Sequence, residues 1–207
     1  MKLVSEVGRL KNQSAGRRIR RRMKEFLYKG RGSREEIFNE LAFCILTANF
    51  SSEGGLRVQN KIGSGFLDMD ESELAIALRN AGYRFPNVRA GYIAKAREHL
   101  EGLMQVLRGP MAECEKREWL AKTVPGLGCK EASHFLRNVG HSNLAIIDFH
   151  IVDLLARHGT IKRVRTMTSR RYLEIEAVLK GIAQQCNMSP GELDLYLWYM
   201  ETGKILK

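Results

Sequence analysis

Apolar side chains recur with a helical period just past the middle of the chain. Ala132, Phe135, Leu136 and Val139 fall at i, i+3, i+4 and i+7 and make one stripe. Lys130, His134 and Arg137 share the opposite side, and Gly140 stands where the helix should stop. Ahead of it lies the short turn Pro125-Gly126-Leu127-Gly128, and Glu118 to Thr123 reads as the tail of a preceding helix. The unit is helix, tight hairpin, helix. Gly126 and Gly128 let the backbone turn and leave N–H groups bare at a helix N-terminus, a seat for a phosphate.

The same period runs through the rest of the chain, and strand-like alternation is rare, so the pattern predicts an all-α protein. Residues 1 to about 30 read as one basic helical region. Gly30-Arg31-Gly32-Ser33 breaks it, and Ser33 with Glu36 forms a capping box for a helix from Arg34 to about Ala48. Ile37, Leu41, Cys44 and Ile45 give that helix its core face. Further helices are expected from Glu53 to Gly63, from Asp70 or Ser72 to Asn80, and, as one long element, from Asn87 to Leu107. In the last of these Val88, Tyr92, Ala96 and Leu100 are spaced for the core. Phe149 to His158, Tyr172 to Gln185 and a final helix complete the set. Ser189-Pro190-Gly191-Glu192 starts that final helix, with Ser as cap, Pro at N1 and Glu at N3. Lys162 to Arg165 and Ser169 to Arg171 read as basic loops.

Composition narrows the partner. The chain has 207 residues and a formal charge of +11. That balance favours a polyanion, nucleic acid before an anionic membrane. Arg17, Arg18, Arg20, Arg21, Arg22 and Lys24 form a dense positive run, which either meets phosphates or is a solvated helix face. No apolar run approaches a membrane span, and Met1 to Lys11 lacks a signal-peptide core, so an intracellular protein is expected. The four cysteines, Cys44, Cys114, Cys129 and Cys186, are far apart with no CxxC, which argues against a zinc site or a disulfide framework.

Two residues invite chemistry. Lys130 lies in the first turn of its helix, the positive end of the macrodipole, a misplacement worth roughly 0.3–1 kcal/mol. It is a solvated lysine, a phosphate contact, or an amine kept for its nucleophilicity. The last needs partial burial and cationic neighbours, for which Arg137 and His134 are placed. Asp148 follows the apolar run Leu144-Ala145-Ile146-Ile147 at the N-cap of the next helix. Ile151 stands where a capping box would need Glu or Gln, so Asp148 is a simple cap or something more.

The combination of hairpin, Lys just after the second Gly, and Asp eighteen residues on resembles the helix-hairpin-helix DNA glycosylase superfamily. Lysine at that hairpin position is what its bifunctional glycosylase/lyases carry. The stretches FCILTANFSSEGGLRVQNKIGSGF, KEASHFLRNVG, AIIDFHI, SRRYLEIE, ELDLYLWYM and TGKILK narrow the likeness to the archaeal-type 8-oxoguanine DNA glycosylase/AP lyases, over nearly the whole chain. The resemblance implies two helical subdomains with the active site in the cleft between them. Residues 34–140 would form a helical barrel ending in the helix-hairpin-helix at about 117–139, and residues 1–33 with 141–207 the second subdomain, the whole being one catalytic unit. It implies Lys130 as nucleophile and Asp148 as its partner in catalysis. Phe85 and Trp198 would sandwich a flipped base, which Lys207 and its terminal carboxylate would reach. Gly126 and Gly128 would grip DNA, and Asn49 would fill the hole in the duplex.

On the residues alone, Phe85 is a core plug or a stacking platform, Trp198 is by default core, and Asn49 is a helix C-cap. The related endonuclease III enzymes end in a four-cysteine set for an iron–sulfur cluster. Nothing here matches it, so no metal and no cofactor are expected. The expected partner is duplex DNA containing 8-oxoguanine, bound by a monomer in a prokaryotic cytoplasm. Two rivals stand beside this reading: a glycosylase for another lesion such as oxidised pyrimidines, and a non-enzymatic helix-hairpin-helix DNA-binding module. Only the second needs neither Lys130 nor Asp148.

Overall fold

A computed structural model describes residues 2–207, and these form thirteen helices with no strand among the described residues. The basic N-terminal region is two helices, α1 (Lys2–Lys11) and α2 (Ser14–Lys29), rather than the one expected. The chain turns at Asn12-Gln13, and Gly16 passes so close to the Lys11 backbone that a Cβ would collide with it. The turn therefore depends on a small residue that carries no periodicity signal.

Next come α3 (Arg34–Thr47), α4 (Ser52–Ile62), α5 (Gly65–Asp68) and α6 (Glu71–Asn80). Ser33 caps α3 in a full capping box with Glu36, and Asp70 does the same for α6 with Glu73. The long element expected from Asn87 to Leu107 is broken at His99 into α7 (Pro86–Glu98) and α8 (Leu100–Arg108). His99 leaves helical geometry and its N–H bonds back to Ala96. The core face of α7 is Ala90, Ile93 and Ala96, shifted from the expected one, and Val88 is exposed. Helices α9 (Glu113–Thr123) and α10 (Cys129–Asn138) flank the hairpin. The last three are α11 (Phe149–Arg157), α12 (Ser169–Gln185) and α13 (Pro190–Thr202). Thr168 caps α12 through the Arg171 N–H, so Ser169 to Arg171 are its first turn and not a loop.

Two apolar cores result. One gathers side chains from Ile37 to Leu144, including the stripe Ala132, Phe135, Leu136 and Val139 of α10. The other joins α1 and α2 to α11, α12 and α13. The segment Leu144–Ile147 runs between them, with Leu144 in the first core and Ala145 and Ile147 in the second.

Charged side chains close the seam. Arg117 of α9 makes a bidentate ion pair with Glu176 of α12, at 2.7 and 3.1 Å, and both side chains are buried. The Ala145 N–H donates to the same carboxylate, and the Tyr172 hydroxyl donates to the Ala145 carbonyl. The segment that carries Asp148 is thus pinned through both backbone groups of Ala145 by α12, which Arg117 ties in turn to α9. A second tie is Gly30, whose missing Cβ lets α2 end directly against the Val139 backbone at the end of α10. No helix of the described residues is long and apolar enough to cross a membrane.

The two kinds of glycine separate by experiment. Gly30→Ala should cost about 1–3 kcal/mol by forcing two backbones apart, lowering the thermal midpoint by roughly 2–10 °C. Gly181→Ala lies within α12 where a Cβ meets nothing. It should raise the midpoint by roughly 1–3 °C. Calorimetry on the two variants measures both shifts.

Candidate active site

The hairpin sets the position of Lys130. Gly126 has a φ of +84°, and a Cβ there would lie 2.5 Å from the Tyr92 ring. Only glycine both turns and fits. Arg89, beside the same turn, donates to the Ala48 carbonyl at 2.9 Å. One guanidinium therefore fixes the end of α3, and with it Asn49, relative to the hairpin. Gly128 is the N-cap of α10, in extended backbone. Its N–H is not bare, contrary to expectation: the Glu131 carboxylate accepts from it at 3.3 Å. The same side chain pairs with Lys130 at 3.7 Å.

Lys130 is in the first turn of α10, with its side chain 26% exposed. Asp148 is the N-cap of α11 and accepts from the Ile151 N–H at 2.9 Å. One carboxylate oxygen is so used and the group is held in one orientation. Lys130 and Asp148 both line three adjoining cavities of about 540, 270 and 50 Å³. The largest also takes in Asn49, Phe50 and Phe149, and the smallest takes in His134, Asp194, Trp198 and Lys207.

The polar side of α10 is not solvated. His134 and Arg137 are buried, and they face the site. Burial, and then the charges of Arg137 and Lys130, hold His134 well below the usual histidine range, so it is a neutral ring. It therefore adds no positive charge beside Lys130, which corrects one of the two neighbours expected to do so. Arg137 is charged but spoken for. It donates to Asp194 of α13 at 2.6 Å and to the Asn138 side chain at 3.0 Å, and stacks over Phe26 of α2 at 4.9 Å. Burial raises the Asp194 carboxyl to about 6, with Arg137 opposing and Asp148 adding to the rise.

Lys207 enters this cavity from the far side. Its ammonium donates to Glu40 at 2.7 Å and to Gln59 at 2.5 Å, and sits 4.3 Å over the Phe43 ring. Glu40 is fully buried and also accepts from Lys29 and Asn138. Burial alone would raise its carboxyl. The two lysines outweigh that and hold it below the ordinary carboxylate value.

The remaining expected residues divide. Trp198 lines the cavity, with its ring edge-on to His150 at 5.6 Å. Asn49 lines the largest of these three cavities, is exposed, and has a φ of +61°. Phe85 is not among the walls of the three cavities. It is 38% exposed at the N-cap of α7, with the Arg84 guanidinium 5.0 Å over its ring. Phe50, His150 and Asp194 are walls that sequence reasoning did not single out as site residues. His150 stands two places after Asp148, and Asp194 one helical turn before Trp198, spacings that carried the signal. Among the described residues no cluster of three His, Cys, Asp or Glu side chains is gathered for a metal.

A lysine and an aspartate in one cleft, the first set by a helix-hairpin-helix, define a class of helical DNA glycosylases. Solved structures agree on the fold. The 8-oxoguanine glycosylase/lyase of Methanocaldococcus jannaschii, in complex with a 15mer DNA containing 8-oxoguanine, aligns over 100% of both chains with a TM-score of 0.96 at 45% identity. The 8-oxoguanine DNA glycosylase of Thermotoga maritima gives 0.93 at 42% identity, over 100% of this chain and 99% of its own. An 8-oxoguanine DNA glycosylase/AP lyase of Korarchaeum cryptofilum is 48% identical over 206 residues, 99% of this chain and 98% of its own length. The family model for 8-oxoguanine DNA glycosylase matches residues 19–188. The chain belongs to the 8-oxoguanine DNA glycosylase family.

The Glu40 network makes a prediction about acid. A carboxyl whose folded value is depressed stabilises above its ordinary value of about 4.5, and that stability is lost as pH falls through the folded value. Glu40→Gln should therefore flatten the decline in stability below about pH 4.5. At pH 7 it should cost about 3 kcal/mol, because Lys207 is left buried without its partner. Urea titrations of both proteins across pH 3–7 check the sign and the size.

Proposed function

We propose that this chain excises 8-oxoguanine from duplex DNA and then cleaves the strand 3′ to the abasic site. The observation that carries this is the placement of Lys130 and Asp148 on the same cavity walls without a bond between them. The ion pair of Lys130 is to Glu131, and Asp148 is turned to the Ile151 N–H. A tight mutual salt bridge would hold the amine protonated. Sharing a cavity lets both reach one sugar.

A base inside the stack is out of reach, so the damaged nucleotide is flipped out at a cost of a few kcal/mol. Asn49, exposed at the cavity rim, fills the hole, and the Gly126–Gly128 turn meets a backbone phosphate beside the lesion. Trp198 stacks on the base. Phe85 joins it from outside the cavity, closing over the opposite face as DNA binds. The Lys207 backbone offers an acceptor to the N7–H that 8-oxoguanine has and guanine lacks.

The unprotonated Lys130 amine attacks the sugar C1′ and the bond to the base breaks, the electron pair leaving with the base. Asp148 stabilises the positive sugar that develops and takes up the amine proton. Ring opening gives a Lys–sugar Schiff base, whose β-elimination releases the 3′ phosphate. In domain terms, residues 34–140 supply the hairpin, and residues 1–33 with 141–207 supply Asp148 and Trp198.

Borohydride trapping on a duplex carrying one 8-oxoguanine tests the reading. The wild type should give a covalent protein–DNA adduct and Lys130→Gln none, with base release and strand cleavage lost together. Asp148→Asn should bind the duplex normally and lose most activity, on the order of a hundredfold or more. An adduct that persists in Lys130→Gln would transfer the role to another amine. Tight binding by the wild type with no adduct would leave a binding module.

A further inference from the structure

We propose that the outer face of α2 is a second duplex-binding surface, which holds another DNA segment while the first occupies the cleft. This rests on the reading that the cleft takes damaged duplex, and it adds a contact on the side of the molecule away from that cleft.

Helical geometry sets the face. Ile19 and Phe26, two turns apart on α2, point into the core. Arg17, Arg21, Lys24 and Tyr28 fall at i, i+4, i+7 and i+11, a stripe on the opposite side of the helix. All four are exposed, and Arg18 beside them is exposed too. The only acidic residue of α2 is Glu25, which pairs with Arg21 at 3.5 Å and with Arg22 at 2.8 Å. Arg17, Arg18 and Lys24 are thus left without a carboxylate from their own helix. From Arg17 to Lys24 the stripe runs along about 10 Å of helix axis. Over that length a duplex presents about six phosphate charges.

The stripe and the cleft are on different sides of the buried network. Among the described residues, none of α2 is a wall of the three cleft cavities. Its inward side meets the network instead: the Phe26 ring lies against Arg137, and Lys29 donates to Glu40. Arg137 and Glu40 in turn reach Asp194 and Lys207, which are cavity walls. Helix α10 spans the same gap. Lys130 is at its cleft end, and Val139, just past its other end, lies against Gly30 at the end of α2. Ten helical residues make that span about 15 Å. A duplex seated at Lys130 and the hairpin leaves the outer face of α2 open to solvent, with its cations unspent.

Charge and shape select the occupant. Protein partners are held by desolvated aromatic or aliphatic anchors. Within the stripe only Tyr28 has a large apolar surface, and it stands at the end, 80% exposed. Guanidinium forks match phosphate oxygens in pairs and carry no sequence information in doing so. An extended acidic chain spaces its charges about 3.4 Å apart, whereas a duplex has one about every 1.7 Å. A short, dense row of cations therefore gains most from a duplex. A protein with two such surfaces can take hold of a new segment before it releases the old one.

The test fills the cleft covalently. Borohydride trapping locks one duplex to the wild-type protein, and a second, labelled, undamaged duplex is titrated onto the adduct by fluorescence anisotropy. The adduct should bind it, with an affinity that falls roughly a hundredfold from about 50 to about 200 mM salt, the slope of about four phosphate contacts. Arg17→Gln, Arg18→Gln, Arg21→Gln and Lys24→Gln combined should weaken this second binding at least about tenfold at low salt. The combined variant should release 8-oxoguanine in a single turnover at the wild-type rate, because the stripe is outside the cleft. An adduct that binds no second duplex would overturn the proposal, as would undiminished second binding by the variant. A matching loss of base release in the variant would assign the stripe to the first duplex. Binding of poly-L-glutamate to the adduct as tightly as duplex would make the stripe a surface for acidic protein. Absence of any wild-type adduct would overturn the excision reading instead. Capture of a labelled duplex onto an immobilised one by the untrapped protein would then decide the second surface.

Discussion

The buried guanidinium of Arg137 is the constraint around which the molecule is arranged. Its side chain is 2% exposed at the seam between the two cores. Taking an unpaired charge out of water costs several kcal/mol, so partners must be brought to it from every side. Asp194 comes from α13, the Asn138 amide from its own helix and the Phe26 ring from α2. Gly191 comes too, because a Cβ there would lie 3.0 Å from the Arg137 side chain. A charge that needs all of these fixes how α13 approaches α10. Lys130 and Trp198 ride on those two helices. The cleft exists where it does because neither core can slide without stranding that charge.

The second buried pair, Arg117 with Glu176, plays the complementary part. It holds the extended segment 144–147 through the Ala145 N–H. Asp148 follows directly and caps α11. A carboxylate at the head of a helix is oriented by the backbone it caps, so its aim does not rest on a flexible side chain alone. Lys130 is likewise set by the turn before it. Lys130 and Asp148 are therefore placed by backbone, and Lys207 and Asp194 by a side-chain network with Glu40 as its hub.

Much of this was legible in the chain. The α10 stripe, the Ser33 and Ser189 caps, and the Lys130–Asp148 spacing are local patterns, and each stands where it was read, while of the two starts offered for α6 the structure takes Asp70. What was not legible depends on contact. The breaks at Asn12-Gln13 and His99 have no proline to announce them. The first follows from the close pass of Gly16 by Lys11, which is visible only once the helices are packed. The face with Lys130, His134 and Arg137 read only as the side opposite the apolar stripe. It is interior because α2 and α13 close over Arg137 and Phe43 of α3 packs on His134, and no single-helix period contains that information. Asp194 was visible only as a neighbour of Trp198, since its pairing with Arg137 joins two helices distant in the chain.

The hairpin carries a further consequence. Glu131 already occupies the Gly128 N–H and stands beside Lys130. A phosphate that takes the Gly128 N–H displaces this resident carboxylate, so at that donor the contact exchanges one anion for another. Weak, easily reversed contacts of this kind permit a basic protein to slide and hop along a duplex. At this one donor, then, bound and unbound states both carry an anion, and the hairpin meets a duplex with its Gly128 N–H already satisfied.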